Sequence, residues 1–151
     1  MYNKALPWSE ALLDRFKEYW ERDWLWANES LPWSRDFIEK FRINCEGGWG
    51  EIKFNNALPW SEELIEYYHD NWWWPAISCN RVLPWNDTFI ERYLDRWDWF
   101  WLSTNEALPW WSRELLERYQ EHWVWSQLST NKALSWSETF IERYAGFWNW
   151  D

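Results

Sequence analysis

The tripeptide Leu-Pro-Trp returns along the chain at Leu6, Leu31, Leu58, Leu83 and Leu108, and Leu134-Ser135-Trp136 continues the series. The spacings are 25, 27, 25, 25 and 26 residues. A period of this length is the signature of a repeat architecture, and it constrains the fold before any single residue does. The cleanest copy, Leu83 to Ala107, shares its Phe-Ile-Glu-Arg-Tyr segment (from Phe89) with the segment from Phe140. Its Leu102-Ser103-Thr104-Asn105 is repeated as Leu128-Ser129-Thr130-Asn131.

Each copy carries the signals of a helix start. Ser9, Ser34, Ser61, Asn86, Ser112 and Ser137 follow the Trp and belong to the residues preferred as N-caps. Acidic residues come next (Glu10, Glu62, Glu63, Asp87, Glu138), where the helix dipole favours them. The Trp before the cap and an apolar residue one turn in stand at hydrophobic-staple spacing, as in Trp8/Leu13, Trp60/Ile65 and Trp85/Ile90. Phe89, Ile90, Tyr93 and Trp97 then form one apolar stripe at helical period. The pattern predicts a first helix of about twelve residues, roughly 18 Å long. A second short helical element is expected over Trp99 to Ser103, a strand at Trp97–Trp101 being the alternative. Asn105 is expected to close the copy in the left-handed conformation.

Two such elements cannot bury their own aromatic faces, so neighbouring copies must stack. The expected fold is all-α, a short α-solenoid of about six 25-residue repeats, with residues 1–151 forming a single tryptophan-rich repeat domain. One column of the repeat is always acidic (Asp14, Glu39, Glu66, Glu91, Glu117, Glu142). The next is basic (Arg15, Lys40, Arg92, Arg118, Arg143), with Tyr67 the exception. Acid and base of adjacent copies are expected to face each other, fixing register more than holding the stack.

Repeats of the form LPWSxxLIxxYxxxWxWxxLSxN resemble tryptophan-rich tandem-repeat proteins found in bacteria and in giant-virus genomes, and the likeness covers essentially the whole chain. The resemblance implies a repeat architecture; it brings no activity, cofactor or catalytic residue.

Composition narrows the functional classes. The chain carries 15 Lys+Arg against 25 Asp+Glu, a net charge of −10, the wrong sign for a nucleic-acid partner. It holds no apolar run of membrane-span length and no leader-like N-terminus, so a soluble, cytoplasmic protein is expected. With only 4 Gly and 6 Pro, collagen-like and flexible low-complexity readings are ruled out, and 21 Trp argue against disorder. His69 and His122 fall at different repeat positions, Cys45 and Cys79 have no counterparts, and no phosphate loop, zinc spacing or nucleophile motif appears. The chain therefore reads as non-enzymatic, with no metal or cofactor.

Sorting the 21 Trp by repeat position separates framework from candidates. The Leu-Pro-Trp column and the W-x-W columns (Trp72/Trp74, Trp97/Trp99, Trp123/Trp125, Trp148/Trp150, with Trp20 and Trp49) read as core. Trp101 shares a column only with Trp24, and Trp26, Trp73 and Trp111 match no Trp elsewhere. Trp26, Trp73, Trp101 and Trp111 are therefore the candidate partner- or ligand-binding residues. The glycine-bearing stretch Asn44–Gly50 is a further candidate loop. The expected function is a scaffold for protein–protein interaction. Terminal repeats without a distinct polar cap suggest self-assembly, as a dimer or head to tail. The alternative is a ligand-binding module that stacks glycans or cationic groups on exposed Trp faces.

Overall fold

The structure, a computed structural model, describes residues 6–20, 25–42, 55–109 and 113–150. Ser112, Cys45 and the Asn44–Gly50 loop lie outside these residues. Helices and turns make up the described chain, and no strand forms within it. In chain order the helices are α1 (Glu10–Arg15), α2 (Arg35–Arg42), α3 (Glu62–Tyr67), α4 (Trp74–Ser78), α5 (Asp87–Arg92), α6 (Trp99–Thr104), α7 (Arg113–Arg118), α8 (Trp125–Leu128) and α9 (Glu138–Arg143). Contacts group the chain into two compact units, Met1–Trp73 and Trp74–Asp151, each described by itself.

The expected caps form. The side chains of Ser9, Ser61, Asn86 and Ser137 each accept from the backbone N–H three residues on, from extended backbone. Ser34 does the same for Phe37, at 3.1 Å. The first helix of the copy, however, is not the twelve-residue element the stripe predicts. It ends after six residues in α1, α3, α5 and α9, and at Arg118 in α7. An indole takes up the carbonyl freed at the early stop in four copies. In a continuous helix the Ile90 carbonyl would accept from Leu94 N–H. Here Leu94 N–H donates to Glu91 at 3.4 Å, and Trp97 Nε1 donates to the vacated Ile90 carbonyl at 2.9 Å. Trp72 to Ile65 (3.0 Å) and Trp148 to Ile141 (2.9 Å) repeat the device, and Trp20 to Leu13 (3.3 Å) matches it. The apolar stripe thus runs through a helix and a turn.

The short second element is helical, not a strand: Asp98 caps α6 by accepting from Trp101 N–H, and α4 and α8 occupy the same place in their copies. Asn105 corrects another expectation, since its φ of −75° and ψ of 111° are extended rather than left-handed. Its side chain does the closing instead: Oδ1 accepts from Ala107 N–H at 2.9 Å, a local turn bond. Asn28, Asn55, Asn80 and Asn131 make the same bond to the residue two on.

Apolar side chains at fixed repeat positions supply the core. In the first unit Leu13, Leu31 and Phe37 form a buried cluster against which Trp8, Trp20, Leu25, Trp33 and Phe41 pack. In the second unit Phe89, Ile90, Leu102, Leu108, Leu115, Leu116 and Leu128 are buried.

Candidate functional site

Within each unit, neighbouring copies meet at a recurring joint. Three groups build it. The Ser of the second element donates its hydroxyl to the carbonyl four residues back (Ser78 to Trp74, Ser103 to Trp99, Ser129 to Trp125). The same oxygen accepts a backbone N–H from the following copy: Asp98 at 2.9 Å, Val124 at 3.0 Å and Asn149 at 3.1 Å. The Asn two positions later reaches back instead. Asn105 Nδ2 donates to the Ser78 and Asn80 carbonyls, Asn131 Nδ2 to that of Ser103, and Asn55 Nδ2 to that of Trp26. Finally, the Asn carbonyl accepts the indole N–H of the next Leu-x-Trp, as in Trp33 to Asn28, Trp60 to Asn55, Trp85 to Asn80 and Trp136 to Asn131. Seven of these Ser and Asn residues, Asn28, Asn55, Ser78, Asn80, Ser103, Asn105 and Asn131, are buried, so the bonds their side chains make are hard for water to replace.

Aromatic rings close the joint. Trp99 meets Tyr119, His122 and Trp123 of the following copy, with centroids 5.7, 4.7 and 4.8 Å away. Trp125 meets Tyr144, Phe147 and Trp148 in the same way, at 5.2, 4.8 and 5.0 Å. Trp74 lies against Tyr93 and Trp97. Such pairs add about 0.5–1.5 kcal/mol each beyond the area they bury.

The charged columns meet across the joint as their spacing implies. Lys40 bonds Asp14 at 2.6 Å and Glu10 at 3.1 Å, Arg118 lies 3.6 Å from Glu91, and Arg143 pairs with Glu117. Asp14 and Glu10 together hold the Lys40 ammonium above the usual lysine range, the Asp14 hydrogen bond first. Where Tyr67 replaces the base, Arg35 lies over its ring at 4.0 Å and Tyr68 donates its hydroxyl to Glu39 at 2.8 Å.

Against this frame the four candidate Trp separate. Trp26 is core, which corrects its selection as a contact residue: it is 2% exposed and stacks on Trp33 at 5.4 Å. It stands at the joint-Ser position of its copy, and its carbonyl takes the same Asn bond as those of Ser78 and Ser103. Trp73 and Trp101 are exposed, at 53% and 44%. Trp101 lies edge-on to the exposed Phe100, 5.3 Å away. They belong to different units, each described by itself. Trp111 lies outside the described residues, as do Trp110 and Trp49.

Two Trp assigned to the core by position are exposed: Trp136 at 41% and Trp150 at 68%. Trp150 occupies the column of Trp74, Trp99 and Trp125 and keeps the indole bond to the residue five back, Ala145, as Trp125 does to Gln120. At the other end Phe16 and Tyr19 are exposed and Trp20 half-buried. These three hold the repeat positions that Tyr144, Phe147 and Trp148 hold around Trp125.

The joint Ser and Asn were missed in the sequence, though an Asn closes five copies at Asn28, Asn55, Asn80, Asn105 and Asn131. That recurrence is the signal. His69 and His122 are exposed, and Cys79 donates its thiol to the Ala76 carbonyl at 3.3 Å. Among the described residues no group of His, Cys, Asp and Glu is placed to hold a metal, and no helix is long and apolar enough to cross a membrane.

No family model matches the chain, and neither a curated protein nor a solved structure is significantly similar to it.

Proposed function

We propose that the chain is a non-enzymatic scaffold, a short α-solenoid of six tryptophan-rich repeats of the kind its sequence resembles, and that its protein partner is a second copy of itself. The observation that carries this reading is the pair of half-joints. Trp150 presents the ring that Trp125 presents, and Phe16, Tyr19 and Trp20 present the receiving set that covers Trp125 in the form of Tyr144, Phe147 and Trp148. A second copy laid head to tail brings these two sets together with chemistry the chain already uses inside itself. The contact is heterologous, so it closes into a ring or extends as a filament. The net charge of −10 opposes this association at low salt, and screening favours it.

Light scattering behind size-exclusion chromatography tests the reading over a range of protein and salt concentrations. The expected result is a mass that rises with protein concentration, rises further in salt, and returns to that of the monomer in Trp150→Ser and in Tyr19→Ser. A monomer mass throughout overturns it.

Trp73 and Trp101 favour a second reading, in which the chain stacks glycans or cationic groups on these exposed rings. Quenching or shift of Trp fluorescence on titration with oligosaccharides or a quaternary ammonium, lost in Trp101→Ser or Trp73→Ser, would support it. An unchanged spectrum removes it.

A further inference from the structure

Beside the joint between the last two copies lies a cleft of about 430 Å³. Its wall includes two cations, Arg113 and Arg143, and the hydroxyl residues Ser135, Ser137, Thr139 and Tyr144, with Leu116 and Phe140 as the apolar part. Two of these residues break the repeat. Ser135 stands where the other five copies have Pro. Arg113 stands where four copies carry an acid (Glu10, Glu62, Asp87, Glu138) and only Arg35 matches it.

The donors in this cleft outnumber their partners. Arg113 Nε and an Arg143 terminal nitrogen both bond the same oxygen of Glu117. Each guanidinium has five N–H groups, so one shared carboxylate leaves most of them open to other acceptors. The consequence falls on Tyr144. In the third copy the matching Tyr68 donates to the acid of the preceding copy, Glu39. Here Arg143 and Arg113 occupy that acid, and the Tyr144 hydroxyl, in a residue 3% exposed, has no hydrogen-bond partner. Tyr119 shares that condition, so an unfilled hydroxyl by itself marks nothing. What sets Tyr144 apart is the cleft it lines, with two guanidinium groups in the same wall.

We infer that this cleft binds the phosphate group of a small molecule, with Arg143, Arg113 and the Tyr144 hydroxyl as its donors. Glu117 supplies one negative charge to two guanidinium groups, so one positive charge remains for an anion to balance. A cleft lined by both hydroxyls and guanidinium groups also suits a tetrahedral oxyanion, which takes donors from several directions. The volume lies in the range of small-molecule sites, larger than phosphate alone requires, and Phe140 and Leu116 offer a surface for an organic substituent.

Phosphorus NMR of inorganic phosphate and of phenyl phosphate, each titrated with the full chain at an ionic strength of about 0.15 M, tests the inference. The expected result is saturable broadening and shift of at least one of the two. Tighter binding of phenyl phosphate points to an organic phosphomonoester as the source, and equal or tighter binding of inorganic phosphate points to the free ion. Tyr144→Phe removes a hydroxyl with no partner in the protein, so the fold should survive it while affinity falls about ten-fold. Arg143→Gln should weaken binding at least as much. Arg118→Gln, a basic-column change outside the cleft, should leave it unaltered. Absence of binding by both probes, or binding that Tyr144→Phe and Arg143→Gln leave intact, overturns the assignment.

Discussion

Replacing Asn105 with Ala is the most direct test of how the copies are joined. The side chain donates at 3.0 Å to the Ser78 carbonyl, at 3.0 Å to the Asn80 carbonyl, and accepts at 2.9 Å from Ala107 N–H. A net hydrogen bond is worth about 1 kcal/mol, and a buried group left without a partner costs about 1–3 kcal/mol. Asn105 is 2% exposed and Ser78 fully buried, so water cannot enter to restore the bonds without opening the joint. Three lost bonds therefore predict a loss of about 3 kcal/mol, against less than about 0.5 kcal/mol for Thr104→Ala at the neighbouring half-buried position. Urea titration followed by near-UV circular dichroism gives the number, provided the slope with denaturant is unchanged. Asn105→Asp refines the test. Its carboxylate would face two carbonyl oxygens in a dry site, which raises its pKa above the ordinary carboxylate range. A folded-state pKa raised in this way means that the penalty relative to wild type is smallest at acidic pH and grows as pH rises through that pKa. A loss below about 1 kcal/mol in Asn105→Ala, or a penalty in Asn105→Asp that falls with rising pH, would refute the reasoning.

Two further outcomes follow from the same geometry. Trp97→Phe keeps most of the ring and loses the N–H that occupies the Ile90 carbonyl, which predicts a loss of about 2 kcal/mol in urea unfolding, whereas Trp97→Ala should lose about 3–5 kcal/mol. Asp14 and Glu10 raise the folded-state pKa of Lys40, so the advantage of wild type over Lys40→Met should be full at neutral pH and vanish as pH rises past the ordinary lysine range. Thermal melts of both proteins across that range, with and without added salt, show whether it does.

Much of the fold was legible because the features that fix it are local. A cap residue, an acid behind it and a Pro two residues ahead announce a helix start whatever the tertiary setting, and Ser9, Ser34, Ser61, Asn86 and Ser137 all cap as expected. The helix ends were not legible for a matching reason. Leu94 N–H bonds Glu91 while the Ile90 carbonyl takes the Trp97 indole, and periodicity registers only that Ile90 and Trp97 are apolar. Exposure was half legible. Column membership identified Trp72 and Trp97 as core, since they pack on rings of their own copy, but misplaced Trp150, whose column is covered by rings of the following copy at Trp99 and Trp125. Trp26 failed in the opposite direction: a residue foreign to its column can still fill that column's space, as it does against Trp33. The cleft at Arg113 and Arg143 left a trace in Ser135, the one departure from Leu-Pro-Trp, but nothing in the spacing reveals that two guanidinium groups share one carboxylate oxygen.

The joint has a consequence for how such a chain can change. Its polar half is written almost entirely against main-chain groups: Ser and Asn side chains bond carbonyls and N–H groups, which every residue offers alike. A copy can therefore alter nearly all of its outward side chains and still fit its neighbour. The chain shows this tolerance, since Asp98, Val124 and Asn149 donate the same N–H to the same hydroxyl despite an acid, an aliphatic and an amide side chain. Duplication followed by drift leaves the connector standardised while each new surface is free to acquire a charge, a ring or a hydroxyl of its own.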